Sequence, residues 1–339
     1  MRFSKAAIFL VLLLPLSTFA AKLREIAMLD VSGRPGFETL AFANGYLVMA
    51  HDGAGKVDIF DPAKRRFVAE ISGIVSPRGI AVDDASGRVY IADAGTNSID
   101  VINSGTWQVE ERISLSRAPE NLLLLPGTTN IVATNPYARS LTLVSRQINR
   151  EMQIIDIGGD PDLMAYDPIR HAILVTIGDQ NTVVAYPASL ERDAKPLHTI
   201  RLKASQPTGI ILVPTTRTLF VAVRFAVLAL DADSGAELSR IPVAAGTDRL
   251  WLDSVGNSLY AASSDGTVTT MRVNGRQLQY DSEMKTDVKG HSLAFDPDRK
   301  LIYVPGGREG RSKMVILKQF GALPMASEEV TTAAVSASQ

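Results

Sequence analysis

The sequence predicts an all-β fold, a seven-bladed β-propeller of four-stranded antiparallel blades. Three observations carry that prediction. Prolines at positions 35, 77, 119, 161 and 207 recur at spacings of 42, 42, 42 and 46 residues. A short apolar run follows each one: Thr39–Phe42, Gly79–Val82, Leu122–Leu125, Leu163–Tyr166 and Gly209–Val213. Two more units, near Thr247 (Leu250–Asp253) and His291 (Ser292–Phe295), keep the pattern without the proline. A repeat near 42 residues with four strands per unit points to sheets arranged around an axis, because one such sheet cannot bury both its faces alone.

The unit from Pro77 to Ala118 shows the pattern most fully. Its β-type runs are Gly79–Val82, Val89–Ala92, Ser98–Asn103 and Val109–Ser114. Between them lie Asp83–Gly87, Gly95–Asn97 and Gly105, residue types that accept the backbone angles of tight reversals. Second strands recur at Tyr46–Ala50, Ile131–Thr134, Ile173–Thr176, Leu219–Val223, Leu259–Ala262 and Leu301–Val304.

The segments RGIAVD, GRVYIAD and NSIDVI of blade two resemble the YVTN and NHL classes of propeller repeat. The resemblance spans roughly Pro35 to Leu317 and weakens most in blades five and six. It implies the fold and leaves the activity open, since these families include binding proteins, lactonases and lyases. The Gly-His and Trp-Asp dipeptides of WD40 repeats are missing. With only Trp107 and Trp251, so are the tryptophan-docking repeats of quinoprotein propellers.

The chain ends fit a closed ring. Lys22–Val31 (KLREIAMLDV) reads like the fourth strands VEERISL and REMQIIDI, yet no first three strands precede it. The last unit offers Ser292–Phe295, Leu301–Val304 and Met314–Leu317 and then loses β character at Gly321. The first segment is therefore expected to complete blade seven, leaving no radial gap. Blade four carries a polar excess at Pro187–Leu197, placed between its third and fourth strands. In blade five Arg224 stands at a reversal that is either short or bulged. Residues 306–310, GGREG, read as a hairpin loop.

Ahead of the ring, Arg2 and Lys5 precede the apolar run Ala6–Leu14, Pro15 ends it, and Thr18 and Ala20 supply small residues. That pattern predicts a cleaved leader over residues 1–20 and a periplasmic or extracellular protein, with no membrane anchor once the leader is removed. The propeller is assigned to residues 22–321. Residues 322–339, rich in Ala, Ser, Thr and Glu, read as a disordered tail.

Composition removes several function classes. A net charge of −1 argues against a nucleic-acid surface built on bulk charge, and low aromatic content argues against base stacking. With no cysteine there is neither a disulfide nor a thiolate metal site. No HExxH, phosphate-loop or Gly-x-Ser-x-Gly pattern occurs.

Topology narrows the search for a site. Loops joining fourth to first strands, and second to third, share one face, where loops from all blades converge. Ligand-binding candidates on that face are Arg78, Glu120, Asp162, Arg224, Arg249 and Arg308. His51 and His291 belong to blades that become neighbours on closure. With Glu38 they form the catalytic candidates if the protein is an enzyme, an imidazole pair beside a carboxylate suited to acid–base work. The leading expectation is a binding or interaction scaffold with no cofactor and an unknown protein or small-molecule partner. The alternative is a lactonase-like hydrolase or lyase that uses a divalent metal and the His51, His291 and Glu38 group. Separately, Glu38, Glu120 and Asp162 supply scattered carboxylates of the kind Ca²⁺ or Mg²⁺ takes. Asp83, Asp167 and Asp296 end first strands and read as turn residues. His171 and His198 read as structural or surface groups.

Overall fold

The computed structural model describes residues 22–320. The expected leader and the expected tail lie outside the described residues. Within them the chain forms seven four-stranded antiparallel sheets, and the innermost strands of neighbouring sheets approach one another all the way around the ring. Blade one consists of Leu40–Ala43, Tyr46–His51, Lys56–Asp61 and Arg66–Ser72, running from the axis outward. Blades two to six repeat that order.

Blade seven closes the ring. Its first three strands are Ala294–Asp296, Leu301–Arg308 and Arg311–Phe320, and its outermost strand is Lys22–Asp30. The pairing runs from Lys22 opposite Phe320 to Asp30 opposite Lys313, with one register shift between Glu25 and Ala27. The first segment thus covers an edge that would otherwise stand open.

Burial explains why the middle strands are almost continuously apolar. Second and third strands pack on both faces, so YLVMA, VYIA and AILVTI need no alternation. Fourth strands face solvent, and Gln108–Ser114 buries only Ile113. Each of the seven seams between neighbouring blades holds its own buried apolar cluster. Tyr90, Tyr260, Tyr303, Phe60, Phe220 and Phe295 are the largest fully buried side chains in these seams. Gly79 shows how closely the inner strands approach, since a Cβ there would sit 2.7 Å from the Asn121 Cα and the Glu120 oxygen of the next blade.

On the face away from the candidate mouth, Asp83, Asp167, Asp253 and Asp296 accept backbone N–H groups of their own turns. Three of them also take a cation from the following blade. Arg217 meets Asp167 at 2.8 Å, Lys300 meets Asp253 at 3.2 Å, and Arg146 pairs with Asp83. The turn role read from the sequence therefore comes with a second one, pinning adjacent blades.

The irregular stretches resolve simply. Pro187 ends the third strand of blade four, and the excess runs to the fourth strand, His198–Arg201. In blade five Val223 pairs with Ala226, so Arg224 and Phe225 form a short two-residue reversal. The GGREG stretch is more ordered than a loop: Gly306, Gly307 and Arg308 continue the strand, and Glu309-Gly310 alone make the turn. No helix among the described residues is long and apolar enough to cross a membrane.

Candidate functional site

Each inner strand enters the channel from the same face, so the residue two places before Leu40, Ile80, Leu122, Met164, Ile210, Leu250 and Leu293 recurs around the axis. These residues are Glu38, Arg78, Glu120, Asp162, Thr208, Asp248 and His291, one per blade. Six of the seven line a cavity of about 880 Å³ at the channel mouth, and His291 sits against its edge on Asp248. Second-to-third-strand loops of blades three and four complete the wall with Tyr137, Arg139, Asp179 and Asn181.

Arg78 holds one side together. Its Nη1 lies 2.9 Å from Glu38 Oε1 and 3.7 Å from Glu120 Oε1, and its Nη2 is 3.5 Å from Asp52 Oδ2. Arg249 of blade six reaches across the channel, where its Nη2 donates to Asn121 Oδ1 of blade three. Asn121 in turn donates from Nδ2 to Asp162 Oδ1 at 3.1 Å. The Nε of Arg249 is buried and has no acceptor. Higher on the rim, Arg139 pairs with Asp179 at 3.1 Å, and Tyr137 stands 89% exposed.

A second grouping joins blades one, six and seven. His291 Nδ1 lies 3.3 Å from Asp248 Oδ2. Ligand atoms of Glu38, Asp248 and His291 all fall within 4.8 Å of one another. Two donors bonded to one ion at about 2.0–2.4 Å lie at most about 4.0–4.8 Å apart, so the spacing of the three is compatible with a shared divalent cation. Glu38, Glu120 and Asp162, the carboxylates weighed in the sequence for Ca²⁺ or Mg²⁺, do not form such a group among the described residues.

The crowding of carboxylates displaces their protonation. Burial pushes Glu120 up to about 7, against the pull of Arg78. Burial also raises Glu38, and it raises Asp162 well above the usual carboxylate range, with the charge of Asp248 adding to the effect. His291 is raised by its hydrogen bond to Asp248.

The Glu120 shift makes a test. Its folded-state carboxyl holds a proton that the unfolded one has already lost between about pH 4.5 and 7, so native stability from this group falls as pH rises through that window. Glu120→Gln removes the loss. Thermal melts should show the variant gaining on the parent between pH 5 and pH 8 by on the order of 2 kcal/mol. A constant difference between the two melting curves across that range would refute it.

The sequence candidates divide accordingly. Arg78, Glu120, Asp162, Arg249 and Glu38 line the cavity. Arg224 lies exposed on the blade-five reversal and outside it, its guanidinium 5.2 Å from the Phe225 ring. Arg308 borders a separate shallow cavity of about 630 Å³ and lies 3.2 Å from Asp287.

His51 requires a correction, because the structure does not place it in the His291 group. It is fully buried in blade one, with Nδ1 2.7 Å from Asp58 Oδ2 and Nε2 2.7 Å from the Arg34 carbonyl oxygen. Both ring nitrogens are engaged, and Phe37 stacks on the ring at 3.9 Å. Asp248 takes the place expected for His51 as the partner of His291. Thr208 and Asp160 were missed as cavity residues. Their signal was positional: Thr208 follows a repeat proline as Arg78, Glu120 and Asp162 do, and Asp160 precedes one.

A scan against protein-family models finds no match to this chain. A search of the curated proteins finds no relative. The seven-bladed propeller and the polar mouth therefore rest on the sequence repeat and the geometry alone.

Proposed function

We propose that this chain is an exported propeller of the YVTN or NHL type that serves as a binding scaffold and takes its ligand at the channel mouth. One observation carries the reading: side chains from six blades converge on a single cavity of about 880 Å³, a size that accommodates a small molecule. A closed ring of rigid blades presents these groups with little conformational cost, which favours binding. Export is supported by the leader pattern of residues 1–20, and it implies a periplasmic or extracellular partner.

A thermal-shift screen of small polar compounds, followed by chemical-shift mapping of the hits, tests this. Saturable binding that perturbs residues such as Asn121, Tyr137 and Thr208 is the expected result. Hits that map only to the outer strands, or a screen with none, would sink it.

The Glu38–Asp248–His291 group favours a second reading, a metal-assisted hydrolase or lyase. A divalent cation held there would supply Lewis-acid polarisation of a substrate carbonyl. Glu38 and Asp248 would bring negative charge to it from blades one and six, and His291 an imidazole nitrogen from blade seven. Arg78, held on Glu38, would orient the substrate's oxygen atoms. Calorimetry on metal-stripped protein with Ca²⁺, Mg²⁺, Mn²⁺ and Zn²⁺ should give a one-site isotherm that His291→Ala abolishes. Absence of heat with all four ions rules out the metal version.

A further inference from the structure

We infer that the ligand of the mouth is an organic cation, an ammonium or guanidinium on a flat apolar body, which seats its charge at Asp162 and Asp160 and its body against Tyr137. This rests on the reading of the mouth as a small-molecule site and names the class of molecule it takes.

The charge inventory of the cavity is lopsided. Six carboxylates line it, from Glu38, Glu120, Asp160, Asp162, Asp179 and Asp248, against the guanidinium groups of Arg78, Arg139 and Arg249. Arg78 is committed to Glu38 and Glu120, and Arg139 to Asp179. Asp248 has His291. Asp160 and Asp162, on either side of Pro161 at the entrance of blade four, have no ion-pair partner among the described residues. The side-chain partner of Asp162 is the neutral amide of Asn121. A neutral or anionic guest would leave the Asp162 carboxyl in the protonated form that burial favours and Asp160 unpaired, whereas a cation in direct contact with Asp162 opposes that desolvation and draws the carboxyl into its ionised form.

Arg249 shows what belongs there. Its positive charge acts on Asp162 from across the channel, yet it stops at Asn121 and makes no direct bond to the carboxylate. Its buried Nε is left without an acceptor. An internal cation held this poorly is readily displaced by one that reaches Asp162 directly. Tyr137 adds the second half of the recognition. A phenol ring 89% exposed on a cavity wall offers a stacking and cation–π face.

The test uses calorimetry on the chain without residues 1–20, at neutral pH and low salt. The probes are three compounds that share a phenethyl body and differ in the charge of the head group: phenethylamine, phenethyl alcohol and hydrocinnamate. Phenethylamine should bind at least about tenfold more tightly than the other two. Asp162→Asn should weaken it by about tenfold or more, Tyr137→Ala should weaken it less, and Arg249→Met should strengthen it. Removing a positive side chain to improve binding is an effect general destabilisation does not mimic, so Arg249→Met keeps the test decisive if Asp162→Asn folds poorly. Stronger binding of the alcohol or the carboxylate overturns the cation class. If those compounds still perturb Asn121 and Thr208, the mouth survives as a site. Failure of phenethylamine to bind, or weaker binding by Arg249→Met, overturns the inference as well. Amine binding that leaves the mouth resonances unmoved overturns both this inference and the mouth reading.

Discussion

A chain that begins at Arg34 in place of Lys22 is expected to melt about 10 °C or more below its longer counterpart. The shortened chain loses the outermost strand of blade seven, and with it the whole ladder to Arg311–Phe320. Both seams of that blade suffer. Leu23 and Met28 pack into the seam with blade six, while Val31, Ile26 and Leu29 pack into the seam with blade one. Leu23 and Val31 are buried, and a fully buried aliphatic side chain contributes about 1.5–3 kcal/mol. With the half-buried neighbours the loss reaches about 5 kcal/mol, and each kcal/mol shifts the melting temperature of a domain of this size class by about 2–4 °C. The exposed edge of Arg311–Phe320 also becomes a template for association, so light scattering should rise. Scanning calorimetry of the two chains checks the main point, and adding residues 22–33 as a peptide should restore part of the difference. Equal melting temperatures would mean that the ring holds without its closing strand.

The closing strand was legible because Lys22–Val31 carries the composition of a fourth strand with no blade before it. The cavity residues were legible for a similar reason. A repeat of constant length fixes the blade and the face of every position, so Arg78, Glu120 and Asp162 could be placed at the mouth from the proline register alone. Register says nothing about how far a side chain reaches across a channel. Arg249 and Asn121 are 128 residues apart and meet only because the hub is narrow at that level. For the same reason the partner of His291 could not be chosen correctly among Asp248, Glu38 and His51. Arg224 shows the reverse limit: it sits on the right face, but its two-residue reversal keeps it at the rim, away from the axis.

His51→Phe is expected to destabilise the fold by about 3–5 kcal/mol while leaving binding at the mouth intact. The position invites a catalytic reading, yet its register argues otherwise. His51 ends the second strand of blade one where Asp93, Asn135 and Ser263 end theirs, and all four are fully buried. Each satisfies polar groups of its own loops. Asp93 accepts from the backbone of Val75, Ser76 and Gly95, and Asn135 donates to Ser140 and Thr142. His51 does this for the join between the closing strand and blade one, through the Arg34 carbonyl. Gly33 makes that join fit, since at φ +103° a Cβ would meet the Ala54 Cβ at 2.5 Å. Phenylalanine keeps the stack on Phe37 and loses both hydrogen bonds, which leaves the Asp58 carboxylate, 1% exposed, on Lys56 alone. A buried charge with part of its support removed accounts for the cost. Denaturant unfolding measures it, and calorimetry with a mouth ligand well below the melting transition measures the rest. A variant that keeps full stability but loses binding would restore His51 to the site. One that unfolds early and binds normally identifies it as the clasp behind the closing strand, with His291 the sole histidine of the mouth.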